Sequence, residues 1–247
     1  APAVGGILEE QLSWRYSLRL MYLMGIISLL LIWFDQKETL NKNEASRSKL
    51  SDDYKELFSN RNFWFYVIVM GFSVGSYFSF LTGAPVISAE YFELTPSVQG
   101  YLFAILGLGF LLGNFLTGRF AMKIGLNRLM LWGCFIALTG PLLQCFIYLN
   151  FIFGPLSFFA PMFLVGLGQG LIVPNAAAGI VSVNPRLAGS ASGLGATIQV
   201  MIGGVLAYIT GYIISIFVTP LPLIFILLIT ILVSLFFSYK LHRNISF

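Results

Sequence analysis

The sequence predicts an all-α integral membrane protein with seven complete transmembrane helices and a partial one at its start. Three observations carry that prediction. The first is composition: of 247 residues, 57% are hydrophobic and only 10% charged, against about 25% charged in an average soluble domain. A water-soluble body of this size could not cover its surface with so few charges. The second is that the charges are bunched, leaving long uncharged gaps between them. The third is that the gaps are continuously apolar, as from Leu221 to Phe237. A spanning β-strand would alternate apolar and polar over about 10 residues, so of the two structures that satisfy their backbone in lipid, helix is the one that fits.

Taken in order, the elements begin with Ala1 to Leu8, an apolar stub that stops at Glu9-Glu10. Eight residues make only about 12 Å of helix, too short to cross a bilayer. They are also too short for a signal peptide. The stub reads as the last turns of a helix whose beginning is missing, and the chain is expected to be a fragment. A first complete span follows from about Tyr16 to Phe34, with Arg15 and Arg19 near one end, where long side chains snorkel. From Asp35 to Asn62 the chain carries six Lys/Arg and six Asp/Glu. Within it, Gln36 to Lys49 is polar and poor in aromatics, and a linker between two bundles or a plain long loop would read alike. Ser51 is placed to cap a short helix whose Tyr54, Leu57 and Phe58 share one face, lying along the membrane surface.

The gaps then supply six more spans. Arg61 is followed by 28 uncharged residues before Glu90, and Glu93 by 25 before Arg119. With about 20 residues needed per crossing, each holds one helix. Arg128 and Arg186 are separated by 57 uncharged residues, and Arg186 and Lys240 by 53, so each of these gaps holds two. Turn chemistry sits near both midpoints, at Asn150 to Pro155 and at Thr219-Pro220-Leu221-Pro222. Threading seven spans places Arg119, Lys123, Arg128, Arg186, Lys240 and Arg243 on one face and Glu90 and Glu93 on the other. By the positive-inside rule, the expected central loop and C-terminus are cytoplasmic.

Few positions could carry covalent chemistry. The only histidine, His242, reads as a solvated tail residue. Cys134 and Cys145 are separated by about 16 Å of helix rise and cannot bridge. Gly166-Leu167-Gly168-Gln169-Gly170 lies inside a span with no preceding strand and no lysine, unlike a phosphate loop. No carboxylate pair or metal-ligand cluster falls at membrane depth, so neither an enzyme, a cofactor nor a metal site is expected. The basic residues are scattered between apolar blocks, which excludes a nucleic-acid binder.

What the spans do contain is small and sparingly polar. Gly71, Gly75, Ser79 and Gly83 recur every four residues, as do Gly109 and Gly113, and Gln199, Gly203, Ala207 and Gly211. Stripes of this spacing let helices approach closely, and packing is their favoured reading. Tyr77, Asn114, Gln144, Gln169, Asn175 and Gln199 are uncharged polar groups inside spans. Each either bonds a neighbouring helix or faces a watery cavity. With Phe72, Phe78 and Phe80 they describe an apolar cavity with few polar fixtures, suited to a bulky neutral solute; Tyr77, Asn114, Gln169, Asn175 and Gln199 are the expected substrate contacts.

Here a family resemblance enters. Gly118-Arg119-Phe120-Ala121-Met122-Lys123-Ile124-Gly125-Leu126-Asn127-Arg128 resembles the loop joining the second and third helices of each half of the major facilitator superfamily, Gly-x-x-x-Asp-Arg/Lys-x-Gly-x-Arg-Arg/Lys. Ala1-Pro2-Ala3-Val4-Gly5-Gly6 resembles the end of that family's antiporter motif on its fifth helix. Trp14-Arg15 and Glu38-Thr39 match its sixth helix and exit. Pro174-Asn175-Ala176-Ala177-Ala178-Gly179, Ala188-Gly189-Ser190-Ala191-Ser192 and Gln199 are similar to the bicyclomycin-resistance branch of drug:proton antiporters.

The resemblance implies a major-facilitator-type second half. Residues 1–34 would end the N-terminal bundle, 35–62 form the cytoplasmic interdomain loop, and 63–247 form the C-terminal six-helix bundle. It tips the long loop toward a linker. It further implies rocking of two halves about a midplane site, with Gly118, Arg119, Lys123, Gly125 and Arg128 in a gating loop and Pro2, Gly5 and Gly6 as an antiporter-motif remnant. Met122 stands where the family loop has Asp, and Ala1 where the antiporter motif has Gly, so both motifs are incomplete. The implied function is drug efflux across a bacterial inner membrane, proton-coupled in the full-length protein. Its partners would be a small-molecule substrate, membrane lipid and a missing N-terminal half. No ionisable group lies at bilayer depth between residues 63 and 239, so coupling groups are expected in that missing half. Two rival readings are a truncated, inactive or regulatory remnant and a seven-helix receptor; the receptor leaves the N-terminal stub unexplained.

Overall fold

The structure is a computed structural model that describes residues 13–35 and 50–245. Ala1–Gly6, with Pro2, Gly5 and Gly6, and the linker at Gln36–Lys49, with Glu38-Thr39, lie outside the described residues. Among the described residues all regular structure is helical: α1 Trp14–Asp35, α2 Leu50–Ser59, α3 Arg61–Val86, α4 Pro96–Ile124, α5 Leu126–Asn150, α6 Pro155–Phe159, α7 Met162–Ser182, α8 Ala188–Ile216 and α9 Pro220–Ile245. Seven spans of these helices are long and apolar enough to cross a membrane, the number the sequence predicts.

Local chemistry sets the boundaries. Asn60 Oδ1 accepts from the amides of Asn62 (3.0 Å) and Phe63 (3.3 Å), relieving two of the orphan donors at the start of α3. Pro85 lies inside α3 and cannot donate, and the helix then widens into a π turn over Ile87–Tyr91. Prolines open α4, α6 and α9, where a missing N–H costs nothing. Between α4 and α5 the chain turns on Gly125 alone, at φ 90°, a conformation that a side chain would strain.

The bundle is built around α7. It packs along α4 and α5 and also meets α3; α3 in turn packs against α8 and α9, and α9 closes onto α5. The approach of α4 to α7 is backbone to backbone. A Cβ on Gly109 would overlap the carbonyl oxygen of Phe163, and one on Gly113 that of Leu167; reciprocally, Gly166 faces Leu106 O and Gly170 faces Phe110 O. On the α5 side, Gly133 and Gly168 face each other's carbonyls. Gly71 and Gly75 of α3 receive Ile202 and Leu206 of α8, while Gly203 of α8 receives the Phe78 ring. Within the stripes singled out in the sequence, Gly71, Gly75, Gly109, Gly113 and Gly203 are therefore packing positions, as favoured.

One end of the bundle is filled by aromatic rings. Phe80, fully buried, lies 5.3 Å from Phe103, 5.6 Å from Phe158 and 5.8 Å from Phe159 between ring centroids. By contrast α1 has no buried residue in its most apolar stretch. Arg15 and Arg19 fold back over the rings of Trp14 and Tyr16, as snorkelling cations near a helix end do. His242 belongs to the last turn of α9 rather than to a solvated tail. The short helix expected at Ser51 spans Leu50–Ser59; of its apolar residues Leu57 is buried, while Tyr54 and Phe58 are exposed.

Candidate functional site

A cavity of about 390 Å³ opens between α3, α4, α7 and α8. Its apolar wall is Val74 and Phe78 from α3, Leu106, Gly107 and Phe110 from α4, and Val173 from α7. Three polar side chains reach it, Tyr77, Gln169 and Gln199, and no carboxylate, ammonium or guanidinium does. Gly203 sits directly beneath the Phe78 ring and so helps fix the shape of the wall.

Gln169 is held more firmly than its two companions. Its Nε2 donates to the Ser73 carbonyl oxygen (3.0 Å) and to Ser76 Oγ (2.9 Å), and the Ser76 hydroxyl donates in turn to Ser73 O (2.7 Å). Both serines are buried, at 1% and 0% exposure. Among the described residues, no such tether is found for Tyr77 or for Gln199; both are only partly buried.

The remaining polar residues of the spans have other work. Asn175 is 1% exposed and not on the lining, and its Nδ2 donates to Leu171 O (2.6 Å) and Thr117 Oγ1 (3.3 Å). Thr117 Oγ1 donates to Gly170 O at 2.9 Å. That carbonyl would ordinarily bond the amide of residue 174, which is Pro174 and has none. A hydroxyl on α4 thus satisfies a backbone acceptor that the proline in α7 leaves open, the kind of repair a proline inside a membrane helix requires. Asn114 is half-buried on α4 and donates to Phe110 O one turn back (2.9 Å). Gln144 Nε2 reaches Phe158 O (2.5 Å) beside the break between α6 and α7. Of the five residues expected to contact substrate, the structure brings Tyr77, Gln169 and Gln199 together and leaves Asn114 and Asn175 outside the lining. Of the expected phenylalanines it places Phe78 on the wall, whereas Phe80 is in the aromatic cluster and Phe72 is not on the lining. The wall contributed by Val74, Leu106, Phe110 and Val173 carries no sequence signal beyond apolarity.

The loop motif occupies the turn between α4 and α5. Arg119, Lys123 and Arg128 are exposed, and among the described residues none makes an ion pair. Gly118 is open, with nothing within 4 Å of a Cβ built on it. Asn127 Oδ1 accepts from Tyr66 Oη of α3 at 2.8 Å, and the Tyr66 ring lies against Gly179 of α7, so the turn is tied to two other helices. A second tie links α2 to the 3₁₀ turn Pro185–Leu187: Glu56 accepts from Arg186 (2.5 Å) and from Asn184 Nδ2 (2.6 Å).

Known proteins share this sequence pattern. The family model described as Major Facilitator Superfamily matches residues 1–208. An uncharacterized MFS-type transporter of Bacillus subtilis, YdgK, is 25% identical over 217 residues, 85% of this chain and 54% of that protein. A bicyclomycin resistance protein homolog of Haemophilus influenzae is 24% identical over 210 residues (83% and 52%). Multidrug resistance protein D of Escherichia coli is 25% identical over 209 residues (84% and 52%). The chain spans about half the length of the curated relatives it matches. With the family model covering most of the sequence and seven apolar spans in place, this chain belongs to the Major Facilitator Superfamily, a superfamily of membrane transporters rather than enzymes.

Proposed function

We propose that this chain supplies the cavity-bearing bundle of a drug-efflux transporter whose substrates are bulky, uncharged and largely apolar. The observation that carries it is the lining: six apolar residues, three uncharged polar ones and no formal charge around about 390 Å³. Such a wall gains by burying apolar solute surface and would pay heavily to desolvate an ion. The relatives named for resistance to bicyclomycin and to multiple drugs, and a chloramphenicol resistance protein of Pseudomonas aeruginosa 26% identical over 207 residues, support that substrate class.

In this reading residues 1–34 belong to an N-terminal bundle, 35–62 form the interdomain loop, and 63–247 are the second bundle, with basic loops and C-terminus facing the cytoplasm of a bacterial inner membrane. The bare face of α1 and the share of each relative covered support a partnership with further helices, in the same or a separate chain. Proton coupling would then reside on those helices, because coupling needs a group whose protonation differs between states, and the carboxylates between residues 63 and 239, Glu90 and Glu93, sit at the end of one span and just past it rather than at bilayer depth. The turn at Gly118–Arg128 and the remnant at Pro2, Gly5 and Gly6 would serve the movement of one bundle against the other.

Chloramphenicol, neutral and aromatic, is the first probe. Membranes carrying the chain should bind it saturably, and Val74→Trp, which adds a bulky ring to the cavity wall, should weaken that binding strongly. Binding unchanged by Val74→Trp, or no saturable binding of chloramphenicol, overturns the cavity reading. Separately, the purified chain in proteoliposomes should show no proton-driven transport; such transport would overturn the assignment of coupling to other helices.

A further inference from the structure

The amide of Gln169 has only one way to face. Ser73 O is a carbonyl and can only accept, so the group 3.0 Å from it must be the NH₂ end of the side chain. The Ser76 hydroxyl spends its hydrogen on Ser73 O, so it too receives from Gln169 Nε2, at 2.9 Å. Both N–H groups are thereby engaged and the amide is locked between two buried serines of α3. The Oε1 atom, with no protein donor among the described residues, is what Gln169 offers to the cavity it lines. An acceptor fixed on an apolar wall discriminates strongly. A ligand that fills the site without donating leaves that oxygen desolvated and unpaired, whereas a mobile amide could rotate to suit either partner.

From this we infer that Gln169 is a specificity-determining residue, and that the cavity selects uncharged aromatic or alicyclic molecules bearing a hydrogen-bond donor, a hydroxyl or N–H, over isosteres that can only accept. The inference rests on the reading of the cavity as the substrate site. Tyr77 and Gln199, which carry no comparable tether, adapt to the rest of the ligand; the selection is made at Gln169 alone.

A matched pair tests it. Equilibrium dialysis of the full chain in nanodiscs, corrected with empty discs, measures binding of 4-hydroxybiphenyl and of its methyl ether, 4-methoxybiphenyl. Apolar burial alone favours the ether, which carries the extra methyl. The fixed acceptor instead predicts tighter binding of the phenol, on the order of tenfold. Gln169→Met removes the acceptor, so phenol binding should weaken, ether binding should rise, and the ratio should fall to about one or reverse in favour of the ether. Ser76→Ala keeps Oε1 but releases one N–H of the amide, so the preference should narrow by gain of ether binding. Equal binding of the two probes to the unaltered chain overturns the inference while leaving the cavity reading intact. A tenfold preference that persists in both variants overturns it as well, by placing the donor's partner elsewhere. If neither probe binds, the cavity reading falls and takes the inference with it.

Discussion

Helices α7 and α8 are made of nearly the same material and do different jobs. Each is a long apolar span, with four glycines in the 21 residues of α7 and six in the 29 of α8. Yet 61% of the most apolar window in the span containing α7 is buried, against 17% in the span containing α8. Every glycine of α7 presses on something: Gly166, Gly168 and Gly170 on backbone carbonyls, Gly179 on the Tyr66 ring. On α8, Gly189, Gly193 and Gly204 meet nothing within 4 Å, while Gly195, Gly203 and Gly211 meet side chains only. α7 is the post on which α4 and α5 are mounted, and α8 is a wall with one packed face and one bare face. In lipid, where apolar surface gains little by turning inward, closeness of approach rather than hydropathy distinguishes the two.

The sharpest way to break this contrast is to thicken the post. Gly168→Leu would drive a side chain into the Gly133 carbonyl and the Ala137 backbone, neither of which can move aside as a side-chain tip can. Loss of folded, monodisperse protein is the expected outcome, read by size-exclusion chromatography of the detergent extract. Recovery of normal protein would show that α5 and α7 are not held at backbone contact. A subtler cut is Thr117→Val, nearly isosteric, which removes the hydroxyl that serves Gly170 O and accepts from Asn175 Nδ2. The orphaned carbonyl should cost about 1–3 kcal/mol, seen as a lowered midpoint in SDS titration of mixed micelles. Replacing Pro174 with Ala in the same background restores the helical N–H and should return part of that loss.

Between post and wall lies the interface of α3 with α8, and there the expected effect is intermediate. Gly71→Ala meets the tip of Ile202, 2.6 Å from the built Cβ, a flexible side chain that can give way. A loss of about 1 kcal/mol is expected, within the range for mild overpacking. Gly203→Ala is the more informative neighbour, because the group it displaces is the Phe78 ring on the cavity wall. It should change chloramphenicol affinity more than it changes stability.

The same contrast explains what the sequence could disclose. Spans were legible because charge at bilayer depth is costly, so gaps of 25, 28, 53 and 57 uncharged residues mark them directly. The stripes at Gly71 and Gly109 were legible because helical spacing does not depend on the partner. Which polar residues face the cavity was not legible, since Asn175 and Gln169 sit six positions apart on one helix and differ only in their surroundings. Thr117 gave no signal at all. Its role exists only because Pro174, 57 positions away, removes a donor one turn after Gly170. The triplet Gly166, Gly168 and Gly170 resisted reading for a similar reason: two of its members turn to α4 and one to α5.

The smallest expected effect tests the wall. Gly204 lies on the bare side of α8, with nothing within 4 Å of a built Cβ and no positive φ to hold it to glycine. Within the chain described here, Gly204→Ala should therefore cost nothing and gain slightly, since alanine gives up less conformational freedom than glycine in a helix interior, by about 0.5–1 kcal/mol. Its adjacent residue, Gly203, faces Phe78, so two consecutive glycines on one helix should respond with opposite signs. An unchanged or raised midpoint for Gly204→Ala beside a lowered one for Gly203→Ala confirms that only one face of α8 is packed. A loss at Gly204 comparable to that at Gly203 would mean that its bare face is covered in the folded protein, by lipid-buried helices beyond those of residues 50–245, and α8 would then be a second post rather than a wall.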